Sequence, residues 1–194
     1  MIKAFFLLFS SFCIAQAKPN TVVFAEIMNG YSNGVIKGLS GGATINYQHK
    51  KDFFTYRFLE VTEMRKDGSF FFIPVYTNVQ IIRENAFMYG RRLVEGNMSY
   101  SYGAGISHID REYLIDETNN LLKYNNEQFI GLPFEFNVKW FNSTKQKYRI
   151  YELIPVGQPT SFANSIGFKF YGSISKRSFV GLGITFGLGW HKVY

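Results

Sequence analysis

The sequence is short of cysteine and histidine, and this shortage removes several classes of functional site. Cys13 is the one cysteine among 194 residues, so a disulfide framework and a cysteine-based metal site are excluded. His49, His108 and His191 lie in separate segments and form no i, i+4 pair. We therefore expect no metal site and no cofactor.

Long apolar runs are also scarce. The mean hydropathy is −0.07, and beyond the amino terminus no run reaches the roughly 18 apolar residues of a membrane-spanning helix. A helical membrane protein is therefore excluded. A transmembrane β-barrel is not excluded, because its apolar residues alternate with polar ones and its hydropathy averages out.

Aromatic residues and positive charge are abundant. Phe and Tyr number 21 and 13, a composition typical of β-rich proteins. The net charge of +7 is spread through turns and strands rather than gathered in one patch. Together with the signal-peptide features of residues 1–17, this scatter argues against nucleic acid as a partner. We expect the phosphates of lipopolysaccharide as the anionic neighbour instead.

The amino end has the features of a signal peptide over residues 1–17. Lys3 supplies the positive charge, an apolar stretch follows, and Ala15-Gln16-Ala17 forms a small-x-small cleavage site. Cleavage there would remove Cys13.

The last strand carries the clearest pattern, since large apolar residues alternate with glycine or polar residues. About 11 residues at ~3.3 Å each, tilted by ~45°, cover ~26 Å of bilayer, close to the apolar band of an outer-membrane barrel. The pattern predicts a lipid-facing row on the last strand: Val180, Leu182, Ile184, Phe186, Leu188 and Trp190.

Similar alternation recurs upstream and predicts an all-β, antiparallel up-and-down transmembrane barrel over residues 36–194, with eight strands or ten. Residues 18–35 are interpreted as a lead-in or a short first strand, with turn signals at Asn29-Gly30 and Asn33-Gly34. Three further segments are interpreted as connections: a loop over 65–69, a long polar stretch over 110–127 and an insertion over 142–160. A new segment is expected to begin at Glu84-Asn85.

These patterns resemble the small outer-membrane β-barrel domain families of Gram-negative bacteria. The resemblance is carried by residues 41–47, Tyr89-Gly90-Arg91, residues 129–133 and the glycine-rich last strand. It covers most of residues 36–194 and implies an architecture, not an activity. The insertion over 142–160 departs from it and leaves the strand number open.

Four ionisable residues fall on the face predicted to line the lumen: Arg57, Glu135, Lys139 and Lys169. Isolated charges are costly to bury, so we interpret the four as a paired polar network that fills the barrel. A path for anions is the sharper alternative. Ser107 and His108 are adjacent and would point to opposite faces of a strand, so they do not form a nucleophile–base pair.

The sequence thus predicts an outer-membrane barrel with a structural, adhesion-type or narrow-pore role and no catalysis. Two alternatives remain open: a soluble, lipocalin-like barrel that binds a hydrophobic ligand inside, and a membrane-embedded hydrolase or acyltransferase. We expect a monomer whose partners are outer-membrane lipid, lipopolysaccharide among it, and the barrel-assembly machinery, which would engage the C-terminal strand.

Overall fold

A computed structural model describes residues 21–118, 121–141, 147–150, 154–159 and 162–190. The predicted signal peptide, and Cys13 within it, lie outside these residues. The described chain forms ten strands: β1 (Thr21–Gly34), β2 (Gly38–His49), β3 (Asp52–Phe70), β4 (Ile73–Glu95), β5 (Met98–Thr118), β6 (Leu121–Phe141), β7 (Lys147–Ile150), β8 (Ile154–Pro159), β9 (Phe162–Ile174) and β10 (Phe179–Trp190).

Eight of these strands close into one antiparallel barrel. Each strand pairs with its neighbours in the chain, except that β6 pairs with β9, and β10 pairs back onto β1. The predicted fold class is therefore confirmed. Strands β7 and β8 form a separate two-stranded sheet within the 142–160 insertion, the rest of which lies outside the described residues.

The barrel begins earlier than the boundary at residue 36 suggests. β1 pairs with β10 from Val23 to Gly34 and with β2 from Thr21 to Ser32, so it is a full wall strand. The predicted turn at Asn29-Gly30 lies inside this strand. Its alternation is hard to see in the sequence because apolar residues stand on both faces, with Val22 buried and Val23 exposed.

Two hairpins continue well past the ring. β3 runs on to Phe70, although its pairing with β2 ends at Thr62, and β6 pairs only with β5 before it meets β9 at Leu132. We call these extensions the β3–β4 arm (residues 63–79) and the β5–β6 arm (residues 114–127). Both lie at the hairpin end of the barrel, opposite the terminus end where Thr21 and Trp190 stand.

The observed strands correct three sequence interpretations. Residues 65–69 belong to β3 rather than to a loop, and Glu84-Asn85 lies within the continuous strand β4. The polar stretch over 110–127 is mostly paired strand. Beyond the ring both faces of an arm meet solvent, so the period-2 signal that marks a half-buried strand is lost.

Within the described residues, no helix is long and apolar enough to cross a membrane.

Candidate functional site: the lumen and the projecting arms

Six charged side chains form an alternating chain across the middle of the lumen. Glu26 contacts Lys139 and lies 3.4 Å from the ammonium of Lys169, which lies 3.4 Å from Glu135. The chain continues from Glu135 to Arg57, where the ions are 3.5 Å apart, and from Arg57 to Glu84 at 2.6 Å. Three cations thus meet three carboxylates, and the set is neutral.

Five different wall strands supply this chain. β6 contributes Glu135 and Lys139 two pleats apart, so both point inward. The others come from β1, β3, β4 and β9, which the ring brings to the same level. Every one of the six residues is buried.

Neutral polar groups complete the chain. Thr44 donates a hydrogen bond to Glu26 at 3.1 Å and accepts one from Asn46 at 3.0 Å. Asn137 donates to Glu135 at 3.1 Å and to Ser101 at 3.1 Å. Buried carboxylates need such partners, because an unmade hydrogen bond in a dry interior is expensive.

All four ionisable residues placed in the lumen from the sequence are members of this chain, whereas Glu26 and Glu84 were not expected there. Glu26 sits in the segment interpreted as a lead-in or a short first strand, and Glu84 at a presumed strand start. Charge balance was the available signal: three cations and one carboxylate in a narrow lumen require further carboxylates.

The hairpin end of the lumen holds an apolar layer, which corrects the expectation that a polar network fills the barrel. The turn between β1 and β2 folds Ile36 into the lumen, where it is fully buried, and Tyr171 donates or accepts hydrogen bonds at Ser32 and Ser40. An eight-stranded barrel is just wide enough to be filled by side chains, so apolar ones suit a layer that no water reaches. The layer consists of Met28, Ile36, Leu59, Val61, Ile82, Ile109, Tyr171 and Phe179.

Arg92 occupies the terminus end of the lumen. Its guanidinium lies 5.0 Å from the ring centre of Phe24 and 5.4 Å from that of Phe141, and it donates hydrogen bonds to Gln48 and Ser99. A cavity beside it has a volume of about 10 Å³. That is about the space of one water molecule, too little for a solute path.

The outer face of β10 carries the predicted lipid-facing row. Leu182 is 65% exposed and Phe186 48% exposed, and Val180, Ile184 and Leu188 are exposed to similar degrees. The side chain of Trp190 lies outside the described part. The intervening Gly181, Gly183, Thr185 and Gly187 are buried.

Aromatic side chains line the outer face near the terminus end. The rings of Tyr47, Phe54 and Tyr89 follow one another across three strands, with centroids 6.3 and 5.2 Å apart. Tyr89 donates a hydrogen bond to Asp52 at 2.7 Å, beside the β2–β3 turn. Aromatic rings with a polar tip at this level are typical of the girdle where a barrel meets the membrane–water interface.

Three cationic side chains surround Glu127 at the base of the β5–β6 arm. It accepts hydrogen bonds from Lys176 and from Arg111, the latter at 3.2 Å, and Arg177 lies 3.8 Å away. The hydrogen bond from Lys176, helped by Arg111, holds the pKa of the Glu127 carboxyl below its ordinary value. The cluster joins the β9–β10 turn to the arm.

The histidines do not converge in the described chain. His108 is exposed and 3.6 Å from Asp110, while its neighbour Ser107 is buried on the opposite face. His191 lies outside the described residues. No group of three His, Cys, Asp or Glu side chains suited to a metal ion occurs in the part of the chain that the structure describes.

A comparison with solved structures found small barrels of the same architecture. Neisserial surface protein A (NspA) aligns with a TM-score of 0.53 at 10% identity, covering 89% of this chain and 97% of that one. The fold is that of a small outer-membrane β-barrel. No protein-family profile matches the sequence, and no curated protein sequence matches it.

Two further structures agree. The N-terminal β-barrel domain of Pseudomonas aeruginosa OprF gives a TM-score of 0.50 at 11% identity, covering 89% of this chain and 98% of that one. Ail, the attachment invasion locus protein of Yersinia pestis, gives 0.51 at 9% identity, covering 89% and 100%. At such low identity the likeness concerns the fold.

Proposed function

We propose that this protein is an outer-membrane barrel with a filled lumen that holds two long hairpin arms outside the cell, in a structural or adhesion-type role without catalysis. The main support for this proposal is that apolar side chains lie on the outer face of the barrel wall and charged ones on the inner face. Leu182 and Ile184 point outward, while Arg57 and Lys169 are fully buried in the lumen. A soluble lipid carrier requires the reverse arrangement.

The filled lumen favours a structural or adhesion-type role over a narrow pore. A solute moving along the axis would have to pass the apolar layer at the hairpin end, where Ile36 and Leu59 are fully buried, and then the neutral ion chain. Ion-selective pores instead expose rings of one charge sign to water. The name of Ail, an attachment protein with this fold, is consistent with display at a surface.

Two partners follow as parts of the proposal. The exposed apolar belt would contact outer-membrane lipid, with lipopolysaccharide above it. β10, which closes the ring against β1, would be the strand engaged by the barrel-assembly machinery. The paired ring leaves no wall strand unpartnered among the described residues, which fits a monomer.

Topology on intact cells tests the proposal. An epitope tag inserted at Gly68, in the β3–β4 arm, should be labelled on unbroken cells. The same tag at Gly96, in the β4–β5 turn at the opposite end, should be labelled only after lysis. Labelling of Gly96 alone, or recovery of the protein in the soluble periplasm without detergent, would contradict the proposal.

Conductance tests the filled lumen separately. Purified protein in a planar lipid bilayer should give no steady channel steps. Stable ohmic steps would show an open path and would favour the narrow-pore role.

A further inference from the structure

The tip of the β3–β4 arm presents two aromatic rings. Phe71 and Phe72 form the turn between Phe70 and Ile73, the last pair of the arm. The side chain of Phe71 is 81% exposed and that of Phe72 is 100% exposed. Large apolar side chains with this exposure are unusual on a water-facing turn, where Gly, Asn and Asp predominate.

The backbone of this turn is strained by the residue it carries. Phe71 has a φ of 52°, a left-handed conformation that a bulky side chain adopts at a cost. A positive φ at the first turn position of a tight hairpin is normally met by glycine. A bulky residue held in this left-handed conformation is a pointer to function.

The tip is uncharged and stands far from the barrel's own lipid belt. No Asp, Glu, Lys or Arg occurs from Gly68 to Ile82. From Thr62, the last β3 residue paired with β2, to Phe70 the arm spans ~26 Å at ~3.3 Å per residue. Counted from the shared pair Gln80–Tyr113, this arm also runs roughly two residues further than the β5–β6 arm.

We propose that this tip inserts its aromatic rings into the lipid bilayer of an apposed cell or vesicle; the inference rests on the proposed surface display of the arms. A stable protein interface buries about 800 Å² per partner, more than two rings on a narrow turn offer. A bilayer needs no matching surface, and apolar and aromatic side chains are drawn into its interface.

The small net charge near the tip indicates that binding to the bilayer does not require anionic lipid. Arg65 lies 2.6 Å from Asp67, which neutralises it, and the hydrogen bond from Thr77 followed by that from Arg65 keeps the pKa of Asp67 below its ordinary value. Lys66 is exposed and adds one positive charge behind the rings. Attraction to anionic lipid is therefore a secondary effect.

Co-flotation with vesicles tests the proposal. The full protein, held in lipid nanodiscs with its arms free, is mixed with phosphatidylcholine vesicles and centrifuged through a density gradient. The wild type should float with the vesicles. F71N/F72S should lower the vesicle partition coefficient at least ~10-fold, since each ring loses its transfer from water. In the F71N background, F72W should restore the vesicle binding that F72S removes.

The β5–β6 arm offers a matched control. Ile115 is 55% exposed there, and I115S should leave flotation unchanged. Equal flotation of the wild type and F71N/F72S would overturn the proposal, as would binding seen only with phosphatidylserine vesicles and lost in K66Q. Cell attachment that needs the two rings without any vesicle binding would point to a protein partner and overturn it too. None of these results alters the tag and conductance outcomes, which test the display barrel itself.

Discussion

The inner and outer faces of the barrel wall come from alternate residues of the same strands, yet they are buried by different means. On β6, Glu135 and Lys139 point inward and are enclosed by protein, while Phe136 and Trp140 point outward and remain about 40–45% exposed. The inner face must satisfy every charge locally. The outer face needs only to be apolar, because lipid completes its burial.

Breaking the inner chain should have the largest effect. R57M leaves Glu84 without its cation and should lower the free energy of unfolding by about 3–5 kcal/mol. Urea unfolding in lipid vesicles measures it. R83M is the matched control, because Arg83 is 44% exposed on the outer wall and 3.0 Å from Glu60; it should cost no more than about 1 kcal/mol. Equal losses in the two variants would contradict the comparison.

A charge on the outer face should come next. I184R places a cation near the middle of β10, where we expect a loss of about 2–4 kcal/mol in the same unfolding measurement. L39R, on a residue 63% exposed near the hairpin end, should cost at most about 1 kcal/mol because its charge reaches the interface. A larger loss for L39R would mean that the apolar band is misplaced.

Space inside the wall can be tested with one methyl group. A Cβ at Gly181 would lie 2.5 Å from the ring of Tyr171 and 2.7 Å from the hydroxyl of Ser32. G181A should therefore cost about 1–3 kcal/mol through overpacking. At Gly68 a Cβ meets nothing within 4 Å, so G68A should be near neutral. A neutral G181A would show that the lumen is looser than described.

The smallest effect concerns pH at the rim. Because the folded pKa of Glu127 is depressed by Lys176 and Arg111, its stabilising contribution is present above the unfolded value of 4.5 and is lost as the pH falls through the folded value. The urea midpoint should therefore decline a little more steeply below pH 4.5 in the wild type than in E127Q. Identical pH profiles would show that the Glu127 cluster does not stabilise the fold.

The sequence predicts best where a strand has one apolar and one small or polar face. The rows on β10 and on β6 from Ile130 to Trp140 have this pattern, and their exposure follows it. The arms were missed because both of their faces are solvated, so no alternation marks them. Glu26 was not predicted because β1 and β6 are not paired with each other. Only the closed ring brings Glu26 and Lys139 together across the lumen.

The apolar layer of the lumen could also not be predicted from the sequence. Leu59 and Val61 break the alternation of β3, and in isolation they resemble the end of a strand. They are inward residues of a continuous strand, buried against Ile82 and Ile109 of neighbouring strands. Their burial depends on the apolar side chains that the closed ring places around them in the lumen.

Lipid contact of the outer row on β10 decides whether the apolar face of the wall points into the membrane. Nuclear Overhauser effects from the methyl groups of Leu182, Ile184 and Leu188 can be recorded in bicelles. A lipid-facing row should give cross-peaks to lipid acyl-chain protons for all three residues. Cross-peaks instead to the side chains of Lys139 or Lys169 would place the row inside the barrel and contradict its contact with lipid.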